Sequence, residues 1–211
     1  RVRAHREGVK TCAALCGVRI PRLADVVLTT SYPMDIDLRQ GLKAVANNII
    51  GDCNRTDRRN HLLDNGRAGV YAAGDDADNL QIRANDIRGN GANGGGAAMP
   101  GIFVDNGPDN VALGCTSTVE LKVDANVGDG VILRGPGTDG VQLLNMLVGL
   151  SGGNGGNGFL VDGATNVREV PQSQCYYFRV KNNAGDGFRV MGASSGVRFE
   201  LPYRDGICHS V

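Results

Sequence analysis

The sequence predicts an all-β fold: a right-handed single-stranded parallel β-helix of about six coils, each with three short strands. Three observations predict it. A glycine followed by three residues of strand character recurs as Gly41-Leu42-Lys43-Ala44, Gly69-Val70-Tyr71-Ala72, Gly101-Ile102-Phe103-Val104, Gly130-Val131-Ile132-Leu133, Gly158-Phe159-Leu160-Val161 and Gly187-Phe188-Arg189-Val190, at offsets of 28, 32, 29, 28 and 29 residues. Gly17-Val18-Arg19-Ile20 fits as an earlier member. A second marker keeps the same beat, Asn48-Ile49, Asn79-Leu80, Asn110-Val111, Gly140-Val141, Asn166-Val167 and Gly196-Val197, at offsets of 31, 31, 30, 26 and 30. The third is composition: 32 glycines in 211 residues, with abundant Asn and Asp, suit many tight turns because these residues tolerate positive φ.

Each unit reads as three strands in order. The first follows the Asn/Gly marker, as at residues 111–113; the second is looser, as at 119–123; the third follows the glycine, as at 131–133. Strands so short bury nothing alone, so each coil must stack on its neighbours. Left-handed hexapeptide helices need a six-residue beat that is missing here, and propeller blades are longer. Leucine-rich repeats need a Leu-x-x-Leu-x-Leu framework that is also missing. Residues 17–211 are therefore read as β-helix repeats and residues 1–16 as a leading segment or N-terminal cap, with Lys10-Thr11-Cys12-Ala13-Ala14-Leu15-Cys16 as a short amphipathic stretch. Gly206-Ile207-Cys208-His209-Ser210-Val211 reads as an unfinished coil, whose open strand edges call for more chain or a partner.

Alternation along the third strand assigns its faces. Leu42, Val70, Ile102, Val131, Phe159 and Phe188 form one apolar row, and Ala44, Ala72, Val104, Leu133, Val161 and Val190 another. Both are expected to point inward and stack about 4.8 Å apart. Four residues before the glycine stand Asn65, Asn126, Asn154 and Asn183, with Asn90 taking the same role ahead of an insertion. Stacked amides can donate to one another along the axis; the alternative is an Asn that merely satisfies a bend.

The aliphatic columns, the Asn at a tight bend and phrases such as Asn154-Gly155-Gly156-Asn157-Gly158-Phe159-Leu160-Val161-Asp162-Gly163 and Asn182-Asn183-Ala184-Gly185-Asp186-Gly187-Phe188 resemble the pectin-lyase-like superfamily of right-handed parallel β-helices. The resemblance covers about residues 17–211 and is specific for fold. It implies a helical N-terminal cap. For function it implies only a range: polysaccharide lyases, hydrolases, uronate epimerases, phage tailspikes and surface proteins without catalysis. Lyases of this kind use calcium to neutralise a uronate carboxylate and an Arg or Lys as base, and no full motif of that sort is matched here.

Charge excludes some partners. The chain carries 22 basic and 22 acidic residues, so no basic footprint for nucleic acid or an anionic membrane is present, and no apolar run is long enough to span a bilayer. No charged-then-apolar leader opens the sequence at Arg1. Six cysteines (Cys12, Cys16, Cys53, Cys115, Cys175, Cys208) include no CxxC, and histidine is limited to His5, His61 and His209, which argues against zinc. Cys53 and Cys115 share one offset two coils apart; at about 9–10 Å they are expected as free core thiols.

Three outward rows could carry chemistry. Lys43, Tyr71, Phe103, Ile132, Leu160 and Arg189 hold four consecutive apolar side chains, a stripe roughly 15 Å long. Cover by a loop such as residues 90–100 or by a further segment is one reading; a homotrimer or domain interface, or a sugar-binding stripe, are the others. The next row reads Ala73, Asp105, Arg134, Asp162 and Met191. A salt-bridge ladder accounts for it. The catalytic alternative takes Asp105 and Asp162 as the carboxylate pair, about 10 Å apart, but Arg134 between them holds both ionised, whereas a general acid needs a raised pKa. The third row, Asp78, Asp109 and Asp139, lies in turns; solvated turn residues or a calcium site with help from Asp75, Asp76 and Asp105 both fit. Two further patterns carry nothing: Gly135-Pro136-Gly137-Thr138-Asp139-Gly140 satisfies GxGxxG but precedes a strand, and Gly152-Gly153-Asn154-Gly155-Gly156-Asn157-Gly158-Phe159-Leu160 lacks the Asp of a calcium nonapeptide. Asn54-Arg55-Thr56 is a glycosylation sequon, meaningful in a eukaryotic secreted chain.

These observations lead to a secreted or cell- or virion-surface β-helix for recognition or structure, contacting polysaccharide or a partner protein. A polysaccharide lyase, hydrolase or epimerase is the second class, and a tailspike-like trimeric adhesin the third.

Overall fold

A computed structural model describes residues 36–37, 49–50, 53, 61–74, 77–92, 98–117, 119–170 and 178–199, the first two pairs as backbone only. Among these residues every regular element is a strand except for a single 3₁₀ position, and every paired strand runs parallel to its neighbours. Sheet A holds β1 (Ile36–Asp37), β4 (Val70–Ala73), β7 (Ile102–Asp105), β10 (Val131–Arg134), β13 (Phe159–Asp162) and β16 (Phe188–Met191). Sheet B holds β2 (Ile49–Ile50), β5 (Gln81–Ile82), β8 (Ala112–Leu113), β11 (Gln142–Leu143) and β14 (Arg168–Glu169). Sheet C holds β3 (His61–Leu63), β6 (Asp86–Arg88), β9 (Leu121–Asp124), β12 (Met146–Val148) and β15 (Arg179–Val180). The chain visits B, C and A in turn, which is a β-solenoid.

The inward rows pair residue for residue: Val70 with Ile102, Ile102 with Val131, Val131 with Phe159, and Phe159 with Phe188. Leu62, Ile87, Val123, Val148 and Val180 form the equivalent row of sheet C. These columns are the core, with Val70, Ile102, Val131, Phe159, Ile87 and Val123 all fully buried. In β16 the same inward positions, Phe188 and Val190, are exposed.

The second marker has a physical identity: Asn79, Asn110 and Asn166 have φ of 57°, 55° and 51°, and Gly140 and Gly196 continue the same left-handed corner. Asn and Gly alternate there because they tolerate that conformation best. Asn48 lies outside the described residues.

Two expectations are corrected. Sheet A spans about four turns from β4 to β16, rather than six coils, because the leading units fall mostly outside the described residues. In the first coil, Ile36–Asp37 rather than Leu42-Lys43 opposes Val70-Tyr71. Ile is β-branched and suits a pleated surface, whereas Leu, Lys and Ala favour helix. The segment containing Gly41, Leu42, Lys43 and Ala44 lies outside the described residues, as do residues 1–16 and 200–211.

Candidate functional site

The buried corner between sheets C and A carries the expected ladder. Nδ2 of Asn65 donates to Oδ1 of Asn90 (2.7 Å), Asn90 to Asn126 (2.9 Å), Asn126 to Asn154 (2.9 Å) and Asn154 to Asn183 (2.8 Å). Each receiving Oδ1 also accepts the main-chain N–H of the preceding Asn, at 3.0–3.2 Å. The second Nδ2 hydrogen of Asn90, Asn126 and Asn154 goes to the carbonyl of Leu62, Ile87 and Val123 in the coil before. Each central amide thus uses two donors and two acceptors in a place that water does not reach. A second, shorter row, Asp129 to Asn157 to the N–H of Asp186, runs beside it; nothing in the repeat spacing had singled it out.

The outward stripe is in register across four coils: Tyr71 opposes Phe103, Phe103 opposes Ile132, and Ile132 opposes Leu160. Tyr71, Ile132 and Leu160 are half-buried, while Phe103 is only 7% exposed. Its cover includes the Tyr71 ring at 5.1 Å and the Arg134 guanidinium at 4.6 Å from its centroid. The apolar stripe and the charged row are therefore one assembly. Arg134 Nε and Nη2 grip the two oxygens of Asp105 at 2.9 and 3.0 Å, and the Tyr71 hydroxyl donates to the same carboxylate at 2.9 Å. The Asp105 bond is the main reason the guanidinium sits above its ordinary pKa. Asp162, the third member of the row, forms no ion pair among the described residues; Arg134 turns to Asp105, where two accepting oxygens and the Phe103 ring hold it.

The Asp78, Asp109 and Asp139 row also exists, but its contacts run along the axis. Asp78 accepts the N–H of Asp109 at 2.8 Å. Asp139 accepts the Thr165 hydroxyl at 2.6 Å and the Asn166 amide at 2.7 Å, and these bonds pull its carboxyl below the usual range. Among the described residues no three His, Cys, Asp or Glu side chains gather as a metal site would need; Asp75 and Asp76 lie outside them.

Sequence spacing misplaced one pair. Cys53 and Cys115 are not free thiols but form a disulfide, with Cα atoms 5.7 Å apart. Strand pairing explains it: Ile50 opposes Ile82 and Ile82 opposes Leu113, so Cys53 stands three residues past its strand partner and Cys115 two. Corner residues beyond the strands are not tied to the sheet spacing. The coil between them carries Ala84 at this corner, and its methyl leaves room for the bridge above Val119.

A charged group on sheet C was also missed. His61 and Arg88 approach the nearly buried Asp86 at 3.4 and 2.9 Å, and Asp124 lies on the same outer face. The only signal was the alternation Asp86-Ile87-Arg88 and Lys122-Val123-Asp124, which reads as ordinary surface charge. Among the described residues no helix is long and apolar enough to cross a membrane. No family model, no curated protein and no solved structure matches this chain.

Proposed function

We propose that this chain is an extracellular or surface recognition module of the pectin-lyase-like fold type, and that the outer face of sheet A contacts polysaccharide. One observation carries the reading: Tyr71, Phe103, Ile132 and Leu160 stand in register over four coils, with Arg134 fixed across Phe103 and clamped by Asp105. That is a flat strip roughly 15 Å long, and it is preorganised, which lowers the ordering cost of binding. Arg134 gives Nε and Nη2 to Asp105, so its Nη1 group is left for a sugar hydroxyl or carboxylate. Half-buried Tyr71, Ile132 and Leu160 offer apolar surface to a sugar ring.

The same geometry speaks against catalysis by Asp105, Arg134 and Asp162. Asp105 accepts three charge-assisted or hydroxyl bonds, which occupy the lone pairs that a base would use. The disulfide supports an oxidising, secreted or surface setting. The Asn ladder and the inward columns support the fold type.

The reading is tested by affinity electrophoresis through gels holding neutral, uronate and capsular polysaccharides. Wild-type protein is expected to be retarded by at least one polymer, and Ile132→Asp and Leu160→Asp to migrate freely in it while keeping the wild-type circular dichroism spectrum. Equal retardation of these variants would place the contact elsewhere. If no polymer retards the wild type, a mass of three chains in sedimentation would identify the stripe as a trimer interface instead.

A further inference from the structure

We propose that Asn106-Gly107, at the rim of the outer face of sheet A, is a site of spontaneous covalent modification. In the folded chain the Asn106 amide closes on the Gly107 nitrogen and hydrolyses to aspartate and isoaspartate, ahead of the other Asn-Gly pairs among the described residues. The corner after sheet A sets this up. Gly74, Asn106, Gly135, Gly163 and Gly192 each follow the last residue of a sheet A strand, and all five have positive φ: 77°, 50°, 88°, 82° and 64°. Glycine suits that conformation and Asn tolerates it, so Asn106 brings the single side chain at this corner among the described coils. Gly107 follows with φ of 143°, again a glycine conformation. The fold thus admits Asn at 106 and asks for Gly at 107, and a glycine nitrogen has no neighbouring Cβ to shield it.

Six Asn-Gly pairs occur in the sequence, and Asn93-Gly94 lies outside the described residues. Four of the rest are held. Asn65, Asn90 and Asn154 are buried with their amides in the ladder, and the N–H groups of Gly91 and Gly155 donate to the carbonyls of Asn65 and Asn126. Asn157 Nδ2 donates to Asp129 at 2.8 Å, its Oδ1 accepts the Asp186 N–H, and the Gly158 N–H donates to the Asp186 carbonyl. Asn106 is different. It is exposed, its side-chain amide forms no hydrogen bond among the described residues, and neither does the N–H of Gly107. The next coil offers no side chain to hold either group: a Cβ at Gly135 would lie 2.8 Å from Asn106 Oδ1, and one at Gly137 3.1 Å from the Gly107 nitrogen.

The reaction balances with water alone. Hydroxide takes the Gly107 N–H proton as the nitrogen attacks Cγ of Asn106; the C–N bond to the amide group breaks, and ammonia leaves with a proton returned from water. Water then adds to either carbonyl of the resulting succinimide and reopens it, so one water enters, one ammonia departs and nothing is oxidised. Gly107 is buried, but the attack is intramolecular, and the exposed Asn106 side chain borders the solvent that takes the proton and the ammonia. Either product sets a second carboxylate beside Asp105. Isoaspartate also adds a methylene to the main chain just after the N–H that donates to the Arg134 carbonyl at 2.8 Å.

The test holds the whole folded chain in mildly alkaline buffer and follows each Asn-Gly pair by peptide mapping and mass spectrometry, with an isoaspartate methyltransferase marking the rearranged product. Conversion is expected first at Asn106, at least about tenfold faster than at Asn65, Asn90, Asn154 or Asn157, because each of those must break held hydrogen bonds before its ring can close. In urea, where the fold holds none of them, the five rates should converge. Asn106→Gly, the residue that the other four coils use, should remove the reaction and keep the wild-type circular dichroism spectrum. Asn106 remaining intact in the folded chain, or reacting no faster than Asn157, overturns the proposal. So does a lead that persists unchanged in urea, since the fold would then not be its cause.

Discussion

Asn126 shows how much a single side chain carries. Its amide accepts from two groups of Asn90 and donates to Asn154 and to the Ile87 carbonyl, all out of reach of water. Asn126→Ala leaves several buried donors and acceptors unpaired, each worth about 1–3 kcal/mol. A loss of roughly 3–5 kcal/mol in urea unfolding is expected, at the upper end for single substitutions. Asn183→Ala, at the half-buried end of the ladder, should cost less than half as much. Asp139 gives a pH signature instead. Its folded pKa is depressed by Thr165 and Asn166, so its stabilising contribution is present above the unfolded value and lost as pH falls through the folded one. Asp139→Asn should flatten the acid limb of the stability curve, read as Tm against pH below about 4.

At the scale of elements, strand identity was legible where two chemistries repeat together and illegible where only one does. From β4 onward the Gly marker and the left-handed Asn/Gly corner keep phase, so Val70, Ile102, Val131 and Phe159 could be placed inward from spacing alone. In the first coil a Gly-Leu-Lys-Ala segment imitates the marker without its β-branched residue, and Ile36 takes the pairing position. Corners were legible where a side chain had to stack, as with the Asn ladder, or where a left-handed residue had to recur, as at Asn79, Asn110 and Gly140. The Cys53–Cys115 bridge depends on a one-residue slip in strand register, which spacing cannot reveal. On the outer face of sheet A the row of charges was readable, but not that Arg134 would choose Asp105 over Asp162. That choice comes from the Phe103 ring and the Tyr71 hydroxyl on neighbouring strands. Because Arg134 is half exposed, Arg134→Gln should cost under about 1 kcal/mol in stability. It should nevertheless expose Phe103, seen as increased binding of a hydrophobic dye.

At the scale of the whole molecule, the described coils are stacked on one another and tied covalently by the Cys53–Cys115 bridge. The disulfide closes a loop of 62 residues and spans from the first coil to the third. Chain-entropy arguments give about 4 kcal/mol for a loop of that length. Cys53→Ser with Cys115→Ser should therefore lower the unfolding free energy by an amount of that order. The first strands should lose exchange protection before the rest, since each has only two paired residues. Unchanged protection at Gln81 and Ile82 in that variant would show that the bridge does not hold the first coil in place.

Rigid coils presenting a prearranged strip, without a free carboxylate pair on it, underlie the proposal that this protein holds a polymer and leaves it intact. The most direct test is to incubate the purified protein with a polymer that retards it, calcium present, and to record reducing ends, unsaturated termini and chain length together. Binding is expected with no new ends of either kind and no change in chain length. New ends appearing in proportion to protein, and lost in Asp105→Asn or Asp162→Asn, would contradict it and make the Asp105–Arg134–Asp162 row a catalytic centre.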